Sequence, residues 1–384
     1  MMLPIPSHDA LMHQQKLLRF LDKILKSKGQ ISFAEFMAMA LYAPGLGYYS
    51  AGAQKFGKEG DFITAPLISP LFSQCIANQC APILAKLKHG CILELGAGTG
   101  RMACDIIQTL TALKQLPQTY AILEVSADLR QRQQRLLKKE CKDYFEHVVW
   151  LDKLPDEPIE GIILGNEVLD AMPVEIFKIG ENAQILQAYV SNDNDWQINF
   201  KEANKPLTQA VKDLQSNLEN TFEEGYTSEI NLGLTPWIRS LSDILSQGVM
   251  FFIDYGFSRH EYYHPSRHMG TLMCHYRHHA HSDPLRFIGL QDITAHVDFT
   301  ALAHAGVLAN CEVSGFTTQG AFLLSLGLLE NMHLDAKEQL KISQQIQRLS
   351  APHEMGELFK VMALSKNIED TLQGFSMRDF RHRL

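Results

Sequence analysis

No two of the seven cysteines (Cys75, Cys80, Cys91, Cys104, Cys141, Cys274 and Cys311) have C-x-x-C spacing, which removes zinc-ribbon and dithiol redox sites. Their number is odd and most sit among apolar neighbours, where a free thiol behaves as a small hydrophobe. The sequence therefore points to a reducing compartment. Long hydrophobic runs are missing too. The longest, such as VMFFI at 249–253 and AFLLSLGLL at 321–329, fall short of the ~20 residues that cross a bilayer, so no membrane insertion is expected. Basic blocks are scarce: 35 Lys and Arg against 43 Asp and Glu leave a net charge of -8. No basic stripe suited to nucleic acid stands out. The opening MMLPIPSHDA has neither the basic n-region nor the apolar h-region of a secretory signal. Asp9 precedes the first basic residue, Lys16, which fits a mitochondrial presequence poorly. The expected location is cytoplasmic.

What remains is a chain of 384 residues, 46% apolar and 20% charged, with no internal repeat or low-complexity tract. That is the composition of a protein with a sizeable core, long enough for about two domains or one α/β core with insertions. Leu11, Leu17, Leu18, Leu21, Ile24 and Leu25 predict a helix over 9–27 that stops at Gly29. A second helix is expected over 32–41, with Ser32 and Glu35 spaced as a capping box. Residues 42–66 then hold five glycines among five aromatics. From about residue 90, apolar runs (CILEL, YAILEV, HVVWL, GIILGN) alternate with helical patterns near 101–113 and 127–141, which means βαβ units and a mostly parallel sheet. Residues 190–235 read as a polar insertion with a helix near 205–219. Sheet texture returns at GVMFFIDYG, 248–256. The divisions expected are 1–85 (helices and lid loop), 86–190 (βαβ core), 191–245 (insertion) and 246–384 (remaining strands and a helical segment).

The sharpest motif is LELGAGTGR, 93–101. A strand ends at Leu95, and Gly96, Gly98 and Gly100 lead into a helix whose first N–H groups are free. Glycine serves where backbone must turn tightly or approach a ligand closely. A dinucleotide fold wants G-x-G-x-x-G, but here the third glycine comes one residue early and Glu94 would repel a pyrophosphate. An acid there suits a ligand with an ammonium and no phosphate, such as S-adenosylmethionine (SAM). Glu124, with Val125 beside it, closes the next strand, where an acid would hold ribose hydroxyls. The alternative is a glycine-rich turn that binds nothing.

A second constellation is GNEVLDAMPVEIF, 165–177. Asn166 and Glu167 should sit at the carboxyl edge of the sheet, where open α/β folds bind ligands. Glu167 and Asp170 could hold a nucleophilic nitrogen beside a methyl donor, or be acids that stabilise a helix N-terminus. Asp292, His296 and Asp298 in DITAHVDF, and the histidines of HYRHHAH (275–281), resemble metal-ligand sets. Turns and a solvated loop fit both better, so no metal is expected.

On these residues the chain resembles the MidA-like family of SAM-dependent methyltransferases. Matching blocks include GYYS (47–50), FGKEGDFITAP (56–66), ELGAGTG (94–100), LEVSADLRQRQ (123–133), NEVLDAMPV (166–174), IDYG (253–256), GTLMCHYRHH (270–279), DITAHVDF (292–299) and MGELFKVMAL (355–364). Leu67, Val168 and Leu169 depart from the family pattern. The resemblance implies a class I, Rossmann-like methyltransferase fold with an N-terminal lid and helical insertions, and SAM as cofactor. In the lid, Asp61, Phe62 and Thr64 would fold over the donor, although a packed Ω-loop would look the same. Asn166 would lie near the sulfonium. Mitochondrial members are arginine methyltransferases that assist assembly of respiratory complex I, so the implied partner is a protein, with a complex I subunit as candidate. Glu167 and Asp170, with Asp254 as a third acid, would then fix a guanidinium. A SAM-binding assembly factor without turnover, a small-molecule N- or O-methyltransferase and, last, a nicotinamide dehydrogenase are the competing readings. The oligomeric state stays open, with a homodimer among the options.

Overall fold

The computed structural model describes residues 3–51, 64–219, 221–330, 336–369 and 371–384. The alternating middle of the chain builds a central sheet of seven main strands: β1 (Cys91–Leu95), β2 (Thr119–Leu123), β3 (Val148–Leu151), β4 (Ile159–Asn166), β5 (Leu245–Phe257), β6 (Glu312–Thr318) and β7 (Phe359–Lys366). Their order is β6-β7-β5-β4-β1-β2-β3. Strands β1 to β5 run parallel to one another, and β7 runs against both of its neighbours.

The apolar runs that announced these strands are continuous rather than alternating, because helices cover both faces of the sheet. Ile162 and Leu164 point into one core with the helices Pro70–Leu84 and Arg101–Ala112. Ile163 points the other way, into a core with the helices Leu234–Ile244 and Phe299–Leu308. No helix among the described residues is long and apolar enough to cross a membrane.

The expected 86–190 core does not stay in this sheet. Beyond Asn166 the strands Glu175–Ile179 and Ile185–Asn192 leave it and join Ile31–Ser32, Trp196–Glu202 and Thr227–Ile230 in a second sheet. The polar 190–235 stretch thus contributes strands as well as the helix Lys205–Ser216. Helix His8–Lys28 buries Leu17, Leu21 and Leu25, whereas Leu11 falls off the buried face at 38% exposure. Helix Phe33–Tyr42 begins on the capping box of Ser32 and Glu35. Both helices pack on the second sheet.

A third sheet pairs Met273–Tyr276 with His279–His281 and with Asp292–Thr294. The histidine run expected as a solvated loop is therefore a hairpin, turning at Arg277 and His278, both with positive φ.

Candidate active site

In an open sheet a crevice forms where strand order reverses, outside the carboxyl ends of the strands. Here that place lies between β1 and β4. A cleft of about 730 Å³ opens there, reached by residues 94–99, 101–102, 123–125, 166–168 and 170–173, by Tyr42, Tyr49 and Thr64, and by hairpin and C-terminal segments.

One half is built around the glycine loop. Gly96, Gly98 and Gly100 have φ of 63°, 53° and 81°, in the left-handed region where a Cβ is disfavoured. Gly100 is also the N-cap of helix Arg101–Ala112, and a Cβ there would come within 3.1 Å of the Gln133 side chain. Gln133 is fully buried. Its Nε2 donates to Gly98 O at 2.9 Å and to Glu124 Oε2 at 2.9 Å, while its Oε1 accepts from Trp150 Nε1 at 3.0 Å. One amide thus ties the glycine loop to the acid at the end of β2. The second oxygen of Glu124 accepts from Ser126 N at 2.9 Å. Glu94, 1% exposed, accepts from the Tyr120 hydroxyl at 2.6 Å. Burial lifts its pKa to about 7, against that hydrogen bond.

For the SAM that the resemblance implies, Gln133→Leu should weaken binding by about tenfold, the worth of one charge-assisted hydrogen bond. A double-mutant cycle with Glu124→Ala, read by calorimetry, should show strong non-additivity, because both changes remove the same contact. Additive losses would mean that Gln133 supports the fold and not the acid.

The other half is acidic. The end of β4 and the turn after it carry Asn166, Glu167 and Asp170 into the cleft. Glu167 has φ of 53°, a backbone state that is costly for a side chain of its size and clusters at functional sites. Burial, then the nearby Asp170, push its pKa to about 8. Burial raises Asp170 to about 6. Asp170 Oδ2 accepts from the Tyr255 hydroxyl at 2.5 Å. Asp170 Oδ1 and Asn166 Oδ1 are buried with no hydrogen-bond partner among the described residues. Asp292, the third acid of this wall, accepts from the Tyr49 hydroxyl at 2.9 Å. Tyr49 stacks on Tyr42, whose hydroxyl donates to Ala171 O at 3.0 Å. His275 and His296 close the wall. His296 is held neutral, its pKa lowered to about 4 by burial and then by the cations Arg267 and Lys360.

Of the residues expected from sequence, Thr64, Glu94, Gly96, Gly98, Glu124, Val125, Asn166, Glu167 and Asp170 line the cleft. Val125 is 67% exposed at its mouth, and Gly100 stands behind the loop as the helix cap. Asp61 and Phe62 lie outside the described residues. Asp254 does not line the cleft. Its Oδ2 accepts from the backbone N–H groups of Val168, Leu169 and Asp170 at 3.2, 2.9 and 3.2 Å, and its Oδ1 from Tyr255 N at 2.9 Å. This carboxylate shapes the turn that presents Glu167 and Asp170. The DITAHVDF residues separate: Asp298 caps the helix Phe299–Leu308 and pairs with Arg259, whereas Asp292 and His296 face the cleft. Among the described residues no cluster of three or more His, Cys, Asp or Glu could hold a metal ion. Sequence reasoning missed Tyr42, Tyr49, Tyr255 and Gln133. The aromatic loop and the tyrosine of IDYG were visible signals, but Gln133 had none.

A family model described as "Putative S-adenosyl-L-methionine-dependent methyltransferase" matches residues 75–317. The Drosophila melanogaster protein arginine methyltransferase NDUFAF7 homolog, mitochondrial, is 28% identical, covering 89% of this chain and 83% of its own. The Homo sapiens protein arginine methyltransferase NDUFAF7, mitochondrial, is 26% identical, covering 91% and 83%. A crystal structure from Burkholderia thailandensis bound to S-adenosyl-homocysteine matches with a TM-score of 0.93 and 41% identity over 100% of both chains. The expectation of a cytoplasmic location is corrected by these relatives, which are named as mitochondrial proteins.

Proposed function

Because this chain belongs to the S-adenosyl-L-methionine-dependent methyltransferase family, we propose that its cleft methylates a protein arginine, with a respiratory complex I subunit as the first client to test. The observation that carries the arginine reading is the excess of carboxylate at the acceptor end. Glu167, Asp170 and Asp292 converge there, and buried oxygens of Asp170 and Asn166 lack partners. A buried acceptor without a donor is costly, and a planar guanidinium with its fork of N–H groups is the natural complement. The relatives named as protein arginine methyltransferases support the same acceptor.

The donor half fits SAM by its chemistry. The left-handed glycines leave room for close backbone approach, while Glu94 and Glu124 offer acids and no cradle for phosphate. Bound there, SAM supplies a methyl group on a cationic sulfur that is already electrophilic. The protein therefore has mainly to position the acceptor, a large contribution in itself. Glu167 and Asp170 grip the guanidinium, Asp292 steadies it through the wall shared with Tyr49, and the tyrosines keep water out. A Glu167 carboxylate oxygen takes the proton shed as the acceptor nitrogen is methylated. Neutral His296 adds no positive charge to a site built for a cation.

Calorimetry with SAM and, in parallel, NAD tests the donor half: one-to-one SAM binding without NAD binding is expected. Absence of SAM binding to folded protein would remove the reading. The acceptor half has a pH signature. Asp170 and Glu167 must be ionised to hold a cation, and their pKa values are raised to about 6 and about 8. Hence kcat/KM should climb from pH 6 and level off above pH 8. The rise in kcat should lie at lower pH, since a bound guanidinium favours the carboxylate form. A flat profile across this range would contradict the assignment.

A further inference from the structure

Resting on the guanidinium reading, we propose that Glu229, outside the cleft on the second sheet, is the positioning residue for the acceptor wall formed by Met273, His275 and His296. Glu229 is 2% exposed and does not line the cleft. Its carboxylate collects neutral donors, all but one of them from a single turn. Thr271 N lies 3.1 and 3.0 Å from its two oxygens, and Leu272 N lies 3.0 Å from Oε1. The hydroxyls of Thr271 and Tyr262 lie 3.2 and 3.3 Å from Oε2.

That turn leads directly into the strand Met273–Tyr276, which carries Met273 and His275 into the cleft. The strand pairs His275 with Asp292 and Met273 with Thr294, so its position also sets that of the acid opposite. The Thr271 hydroxyl accepts from His296 N at 3.1 Å, which ties the last histidine of the wall to the same point. Gly270 makes the approach feasible: with φ of 76°, a Cβ there would stand 2.2 Å from Glu229 Oε1.

A buried carboxylate is costly unless its oxygens are well served, and this one is served almost wholly by the turn that opens the acceptor wall. Acceptor geometry has to hold to about 0.5 Å for efficient transfer. The second sheet, through Glu229, sets the wall facing Glu167 and Asp170. Asp254 does the equivalent for the turn that bears those two acids. The donor half shares none of these hydrogen bonds.

The test is calorimetry of the full chain with two probes: S-adenosyl-homocysteine, and an adenosyl thioether whose sulfur bears an alkylguanidine arm. In the unaltered protein the guanidine probe should bind at least about tenfold more tightly, from charge-assisted bonds in the acceptor half. In Glu229→Gln and Thr271→Val that advantage should vanish, while S-adenosyl-homocysteine affinity stays within about twofold, since its contacts lie elsewhere. Variants that keep the advantage, or that lose affinity for both probes equally, would overturn the proposal. An unaltered protein with no preference for the guanidine probe would instead refute the guanidinium reading. Glu229 would then be judged by the ring NMR signals of His275 and His296 in Glu229→Gln: displaced signals uphold its hold on the wall, and unmoved signals overturn it.

Discussion

Glu167→Gln should lower kcat by at least about 100-fold, the scale expected when a site loses a proton acceptor. SAM affinity should hold, because Glu167 sits on the acceptor side, on the turn after β4. The same variant should be no less stable than the parent and, in alkaline solution, more so. Burial and Asp170 raise the pKa of Glu167 from 4.5 to about 8. A raised carboxylate pKa means that the folded state binds the proton more tightly than the unfolded chain. Its contribution to stability is therefore full below pH 4.5 and is lost as pH rises toward 8. Glutamine carries no such charge. Allowing for the partial exposure of Glu167, the gain above pH 8 should be about 1 kcal/mol, or roughly 1 °C in Tm for a chain of this length. It should disappear near pH 5. Turnover assays and thermal melts at two pH values check both halves. A structural role for Glu167 would instead make the variant less stable at every pH.

Asp254→Ala should have the opposite profile: a large loss of stability together with a loss of turnover. Its carboxylate satisfies four backbone N–H groups, those of Val168, Leu169, Asp170 and Tyr255. Two effects compete. Removing this acid relieves the cost of its burial and its repulsion from Asp170 and Glu167, which together drive the Asp254 pKa well upward. Against this, each orphaned buried donor costs about 1–3 kcal/mol. The orphaned donors win, and a net loss on the order of 3 kcal/mol should lower Tm by about 4 °C. The turn that holds Glu167 at its left-handed φ of 53° loses its anchor, so turnover falls as well. Asp254→Asn should be intermediate, because its amide can serve the three N–H groups of the turn but then presents a donor to Tyr255 N. Thermal melts with turnover measured well below Tm separate these outcomes. An alanine variant with parental stability would show that the turn holds itself.

The features legible in the sequence are those encoded locally. β1 and the helix after Gly100 are announced by apolar runs, glycine spacing and a clear break between them. The capping box of Ser32 and Glu35 was visible because capping works over three residues. The side of the cleft around the glycine loop was readable for the same reason, since its glycines and acids follow two neighbouring strands. The acidic side was not. Tyr49, Asp292 and Glu167 are joined only by the packing of three sheets, and no spacing in the chain connects them. The role of Asp254 was misjudged because an acid beside an active-site strand looks the same whether its oxygens face the substrate or the backbone. Gln133 and Glu229 illustrate the same limit, since each acts through hydrogen bonds to residues distant in sequence. The second sheet was hidden by its polarity: Trp196–Glu202 is mostly exposed and lacks the apolar run by which buried strands declare themselves.

The most direct test of the account is to supply SAM carrying a labelled methyl group to the purified protein and an extract of cells lacking it. The protein fraction is then hydrolysed completely and its methylated amino acids are separated. Label in methylarginine with the parent protein, and none with Glu167→Gln, is the predicted result. Label in a different amino acid or confined to small molecules, equal label with the variant, or no label from protein that binds SAM would contradict arginine methylation by this cleft.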